Sequence, residues 1–292
     1  MGEILSVNAA FLWAAAIVLF RVVGRDVHAL AINLFKNSLA VILLGLSMAV
    51  IGNPIFPALP ISDYVVFLLS GVIGLAVADT LMLLALNKLG AELLAIVDCA
   101  YSPFVIGFSF LFLGERMNTV QALGVVLIVL AVLLISGKKS DAQIPRRDLL
   151  VGVVLGVASV FLMAAGIVMV KPLLGRTPLL WGTMIRMAGG AAALLIFLAF
   201  HPGRGLILRP LRSPRTFRLL LPASLLAAYF SNVSWLAGMR LTQASIASAL
   251  NQLSTIFIFI LAAVFLKEKP TPLKLAAVAL AFAGAILISV PF

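Results

Sequence analysis

A chain of 292 residues that is 63% hydrophobic and 11% charged cannot cover itself with a solvated surface, for which soluble domains use about 25% charged residues. Its formal charge of +11 would suit a nucleic-acid partner, but most Lys and Arg fall in short loops between apolar runs, where membrane orientation places them. The single cysteine, Cys99, lies inside an apolar run and excludes an internal disulfide or a multi-cysteine metal site.

Apolar runs of about twenty residues are long enough to cross a hydrocarbon core of about 30 Å. Ten can be drawn, at residues 4–22, 27–51, 62–87, 90–113, 117–136, 149–171, 178–200, 216–239, 243–266 and 271–290. The N-terminus carries Glu3 and no basic stretch, so the first run reads as a retained span rather than a cleaved signal. Most loops are very short; the longer ones are 52–61, 137–148 and 201–215. The polar 138–148 segment reads as a linker between two five-span repeats, 1–137 and 149–292.

The repeat is visible residue by residue. The stretch from Asp79 to Glu115 recurs 153 residues later, from Asn232 to Glu268. Asp79 then falls on Asn232, Asp98 on Asn251 and Ala91 on Ala244. Toward the front of each half the offset is 150, which lays Arg21 on Lys171 and Lys36 on Arg186. An odd number of spans per repeat gives the two copies opposite orientation, the inverted-repeat plan whose substrate site lies near the midplane. The expected fold is therefore all-α and integral to the membrane, with ten transmembrane helices in two inverted five-helix repeats.

Loop charges set the expected orientation. Odd-numbered loops and their margins carry 15 Lys or Arg, among them Arg21, Lys88, Arg146, Arg209 and Lys274. The opposite set carries 4: Arg116, Lys171, Arg176 and Arg240. By the positive-inside rule both termini face outward.

Ionisable residues within spans cost at least ~2.5–3.5 kcal/mol on insertion scales and default to functional candidates. Asp79, deep in the third span, reads as a protonatable or cation-binding group on the pathway, or as a structural carboxylate paired with Lys36 or Arg186 or bonded to Thr80. Asp98, with Tyr101 and Ser102 on the same helical face, makes a polar patch fit to hold a small solute or relay a proton. Asn251 with Gln252, Ser248 and Thr255 makes the matching patch on the ninth span. The bland reading of both patches is interhelical hydrogen bonding. Lys36 and Arg186 either bind an anionic group of the cargo, neutralise Asp79 and Asp98, or snorkel to the headgroups. Glu92, four residues past Lys88, reads as a local ion pair at the membrane edge, and Glu115 and Glu268 as turn residues. Trp13, Trp181 and Trp235 read as packing or interfacial rings. Gly152 with Gly156, and Gly71 with Gly74, mark close helix approach. No phosphate-binding glycine loop, metal-ligand cluster or nucleophile–base pair is present, so neither a cofactor nor enzymatic activity is expected.

Three features together resemble a known family: the turns Ala85-Leu86-Asn87-Lys88-Leu89-Gly90-Ala91 and Leu241-Thr242-Gln243-Ala244-Ser245, an apolar helix carrying Pro103, and the junction Leu113-Gly114-Glu115-Arg116 with its echo Leu266-Lys267-Glu268-Lys269. The pattern is similar to the EamA family, ten-span members of the drug/metabolite transporter superfamily, over essentially the whole chain. The resemblance implies an exporter of amino acids, metabolites or drugs in the inner membrane. It also implies cytoplasmic termini, against which the charge bias here runs.

The reading is a secondary transporter of small organic solutes working by alternating access, with proton coupling through Asp79 or Asp98. Spans three, four, eight and nine, including Asn232, would wall the cavity, with Lys36 and Arg186 from spans two and seven. The alternatives are an uncoupled facilitator, a non-transporting membrane binding or scaffold protein, and a lipid-carrier flippase. Expected partners are the solute, protons and membrane lipids, with no nucleic acid; a monomer already supplies both halves, and a dimer is compatible with it.

Overall fold

The structure is a computed structural model that describes residues 1–113, 119–137, 144–241, 247, 250–267 and 271–289. Glu115, Ala244, Ser248 and Glu268 lie outside the described residues. Backbone amides in hydrocarbon must be satisfied within their own segment, and the described chain is accordingly a succession of helices. They are α1 (Gly2–Val23), α2 (Ala29–Ile51), α3 (Ile61–Leu89), α4 (Ala91–Asp98), α5 (Tyr101–Leu113), α6 (Thr119–Gly137), α7 (Arg146–Leu174), α8 (Leu179–Phe200), α9 (Arg204–Leu208), α10 (Pro214–Leu241), α11 (Leu253–Leu266) and α12 (Pro272–Ser289). Among the described residues, seven stretches are long and apolar enough to cross a membrane, with α4 and α5 counted together as Ala91–Phe112. Shorter apolar helices at Ala122–Ala131, Leu253–Leu266 and Pro272–Gly284 complete the set.

Several details differ from the sequence expectation. The long loop after residue 200 contains α9 and a 3-10 turn, Arg209–Arg212. The sixth span begins at Arg146 and runs through Pro172. More telling, α3 and α10 each contain a π-helical segment, Val72–Ala78 and Leu225–Ser231. The two lie 153 residues apart, each ending just before the paired positions Asp79 and Asn232. Such segments are rare and cluster at functional sites.

Packing interleaves the two halves. Helices α1 and α2 of the first half lie on α10 of the second, and α1 also on α11, while α7 and α8 lie on α3. Helix α2 packs along α8, and α6 pairs with α12. Small residues permit the closest approaches, as expected for helices in lipid. A Cβ at Gly71 would stand 1.9 Å from the backbone oxygen of Arg186. Beside it, Ser70 Oγ donates to Gly166 O at 2.6 Å. The turn from α3 to α4 depends on Gly90, at φ 82°, a conformation open chiefly to glycine.

Ion pairs tie the helix ends across the halves. Lys88 at the end of α3 meets Asp148 in the first turn of α7 at 2.5 Å. Glu92 does not pair with Lys88 as its spacing suggested; it is fully buried and meets Lys274 of α12 at 2.6 Å. The i, i+4 spacing fails here because Gly90 breaks the helix between the two residues and redirects α4. Arg21 of α1 donates to the carbonyls of Leu86 (2.9 Å) and Asn87 (2.8 Å), capping the negative end of α3. At the opposite end of α3, Asp63 meets Arg176 at 2.7 Å.

Gly71→Ala places a methyl against backbone that no rotamer change can relieve, and overpacking of this kind costs about 1–3 kcal/mol. It should lower the thermal unfolding midpoint in detergent, whereas Gly107→Ala, with nothing within 4 Å of the added carbon, should leave it unchanged.

Candidate functional site

Pro103 sets the geometry of the site. Lacking an N–H and crowding the carbonyl four residues earlier, it breaks the helix at Cys99, and the chain turns at Cys99 and Ala100 between α4 and α5. The break leaves Asp98 as the last residue of a half-helix. The second half turns at Gln252, the repeat mate of Cys99, without a proline. Broken helices of this sort build the mid-membrane sites of many transporters.

A cavity of about 120 Å³ opens at this level. Its wall includes Trp13, Met82, Asp98, Tyr101, Met163, Arg186, Ser231, Asn232, Trp235, Asn251, Gln252 and Ser254. The lining follows the repeat. Trp13 and Met163 are mates at offset 150; Gly74 and Ala227, Met82 and Trp235, Asp98 and Asn251, and Tyr101 and Ser254 are mates at 153. Both members of each pair face the cavity.

The pairing is not complete, and one departure from it changes the charge of the wall. Arg186 and Asn232 line the cavity, but their mates Lys36 and Asp79 do not. Instead, Lys36 Nζ donates to Asp79 Oδ2, and both side chains are 2% exposed. The π segment of α3 supports this arrangement by freeing carbonyls. Asn33 Nδ2 donates to Leu75 O at 2.8 Å and to Ala76 O at 3.1 Å, and Asn37 Nδ2 to Leu75 O at 3.3 Å. Thr80 also donates to Ala76 O, at 2.6 Å, rather than to Asp79. The second half has Thr183, Met187 and Val233 at the positions of Asn33, Asn37 and Thr80, and cannot reproduce the network.

Two charged side chains therefore line the cavity, Asp98 and Arg186. Asp98 makes no hydrogen bond or ion pair among the described residues. Arg186 Nε donates to Ser70 Oγ at 3.0 Å, but no carboxylate among the described residues meets its guanidinium. Ser102, expected beside Asp98 on the pathway, is buried and accepts from Gln252 Nε2 at 2.7 Å. With Thr255 Oγ1, which lies 3.3 Å from Cys99 Sγ and donates to Ala95 O at 3.3 Å, this bond knits the broken fourth span to the ninth. Trp181 is fully buried against Tyr64 and Phe67, whereas Trp13 and Trp235 flank the cavity. The expectation that span two contributes to the wall is thus replaced by contributions from the first and sixth spans, Trp13, Val160 and Met163. The 150-residue offset could have found Trp13 and Met163, since it makes them mates.

The EamA-like transporter family model matches residues 1–137 and again residues 150–290. The chain belongs to the EamA-like transporter family. Membership makes it a multi-pass membrane transporter of small solutes, in a family of transporters rather than enzymes. A solved structure titled "Crystal structure of protein" superposes with a TM-score of 0.70 at 15% identity, covering 98% of this chain and 95% of the other, and so shares its fold. A comparison with curated proteins returns no match.

Asp79→Asn would strand Lys36 in the interior, and breaking a buried pair from one side costs about 3–5 kcal/mol. Thermal unfolding should show a large loss for Asp79→Asn and substantial recovery in Lys36→Met/Asp79→Leu. Wild-type stability in the single variant would contradict the pairing.

Proposed function

We propose that this EamA-like transporter exports small organic solutes across the inner membrane by alternating access, exchanging them for protons at Asp98. In this reading residues 1–137 and 149–292 are inverted five-span repeats, giving ten spans with both termini outside. The recurrence of the π segments and of the mid-span turns at equivalent positions supports the repeat, and the charge bias supports the orientation. The interleaved packing suggests the moving bodies. Helices α1, α2 and α10 pack together, as do α3, α7 and α8, each group drawing on both halves, and α2 lies along α8 where the two groups meet.

The observation that carries the coupling is the unpaired carboxylate of Asp98 on the wall of a mid-membrane cavity. A carboxylate there favours a proton or a cationic group of the cargo, and both cannot occupy it together. Competition of this kind is what exchange requires, since the group must release one to accept the other. Asp79, already neutralised by Lys36, is not needed for the exchange.

The test uses sealed proteoliposomes containing a pH-sensitive dye. An outward cargo gradient should drive protons the opposite way, and an imposed pH gradient should accelerate flux. Asp98→Asn should abolish both effects. Flux that is indifferent to the pH gradient, or coupling that survives in Asp98→Asn, would favour an uncoupled facilitator instead.

A further inference from the structure

We infer that Arg186 and Asn232 form the docking point for an anionic group of the cargo, a carboxylate, so that the cargo carries both signs of charge. The inference rests on the reading of the cavity as the cargo site. Its basis is a departure of the duplicated wall from its own symmetry that leaves a base facing the cavity.

In the first half, a base on the second span meets an acid on the third: Lys36 and Asp79, closed on each other and buried. In the second half the corresponding base is Arg186, on α8, and the corresponding position on α10 is Asn232. The acid has become an amide of nearly the same shape. An amide cannot neutralise a guanidinium, so the second copy has the base without its counter-charge. The elements are otherwise placed alike, since α8 packs against the segment that carries Asn232 as α2 packs against the segment that carries Asp79. Both Arg186 and Asn232 face the cavity, whereas the closed pair does not.

No carboxylate among the described residues forms an ion pair with Arg186. Ser70 takes Nε of Arg186 and fixes the plane of the group, leaving the terminal nitrogens without a carboxylate among the described residues. Asp98 shares the cavity but makes no ion pair with Arg186. A guanidinium offers paired donors matched to a carboxylate, and the Asn232 amide adds a further donor on the same cavity wall. With Asp98 as the cavity's other charged side chain, the wall presents one site of each sign. Trp13 and Trp235 offer apolar surface. A zwitterion with an apolar body satisfies all three features.

The test restores the lost acid. Asn232→Asp should close the second pair as the first is closed, raising the unfolding midpoint by about 2–4 °C. That gain should vanish in the Arg186→Gln background. Ligand binding is read as a saturable rise in the midpoint with benzoate and phenylalanine, against benzamide and phenylalaninamide, which lack the carboxylate. At least one carboxylate should stabilise the wild type more than its amide does. Arg186→Gln and Asn232→Asp should each weaken that effect by about 10–100-fold. The inference is overturned if Asn232→Asp gives no gain in stability, or if its gain persists without Arg186. It is equally overturned if neither carboxylate stabilises the wild type, if the amides match them, or if their effect survives both substitutions. None of these readings involves transport or proton movement, so this inference and the exchange at Asp98 can fail separately.

Discussion

A charge placed in hydrocarbon must find an opposite charge, water or a ligand, because the bilayer offers no solvation of its own. In this protein that constraint sorts the ionisable groups of the spans into two kinds. Lys36 and Asp79 satisfy each other and are sealed off, supported by Asn33 and Asn37 on the carbonyls released by the π segment of α3. Asp98 and Arg186 are left facing a cavity. The same rule organises the helix ends, where Lys88 with Asp148, Glu92 with Lys274, and Asp63 with Arg176 join one half of the chain to the other.

Gene duplication explains why these two kinds coexist. Two copies of one helix arrangement enclose a cavity whose wall is paired position by position, and drift within the pairs then specialises it. Exchanging a carboxylate for an amide at either of two depths changes the charge of the wall without changing its shape. At 79 and 232 the exchange separates a closed ion pair from an open base. At 98 and 251 it leaves one acid where symmetry would give two. The cavity thereby carries an asymmetric charge, although the scaffold around it is repeated.

Much of this was legible in the sequence. Apolar runs gave the helices, and the 150- and 153-residue offsets gave the duplication together with the residues on its polar positions. Side-chain direction was less accessible. Asp79 and Asp98 have similar surroundings in sequence, and what separates them is Lys36, more than forty residues away and within reach of only one of them. The π segments have no signal in apolar periodicity, since one extra residue per turn in an all-apolar run changes no pattern. The spacing of Glu92 points to the nearby Lys88, yet the turn at Gly90 carries it to Lys274 in the last helix. Trp13 and Met163 lay within reach of the repeat alignment, but only apolar character marked them, and apolar character marks most of this chain.

The central claim is that the cavity lined by Asp98, Arg186 and Asn251 opens in turn to each side of the membrane. The protein's one cysteine is buried, so Cys99→Ser supplies a clean background into which Asn251→Cys can be placed on the cavity wall. Reaction of that thiol with a membrane-impermeant maleimide, measured separately in right-side-out and inverted vesicles, tests the claim directly. Alternating access predicts labelling from both sides, each slowed by bound cargo. Labelling from one side alone, or from neither, would contradict it.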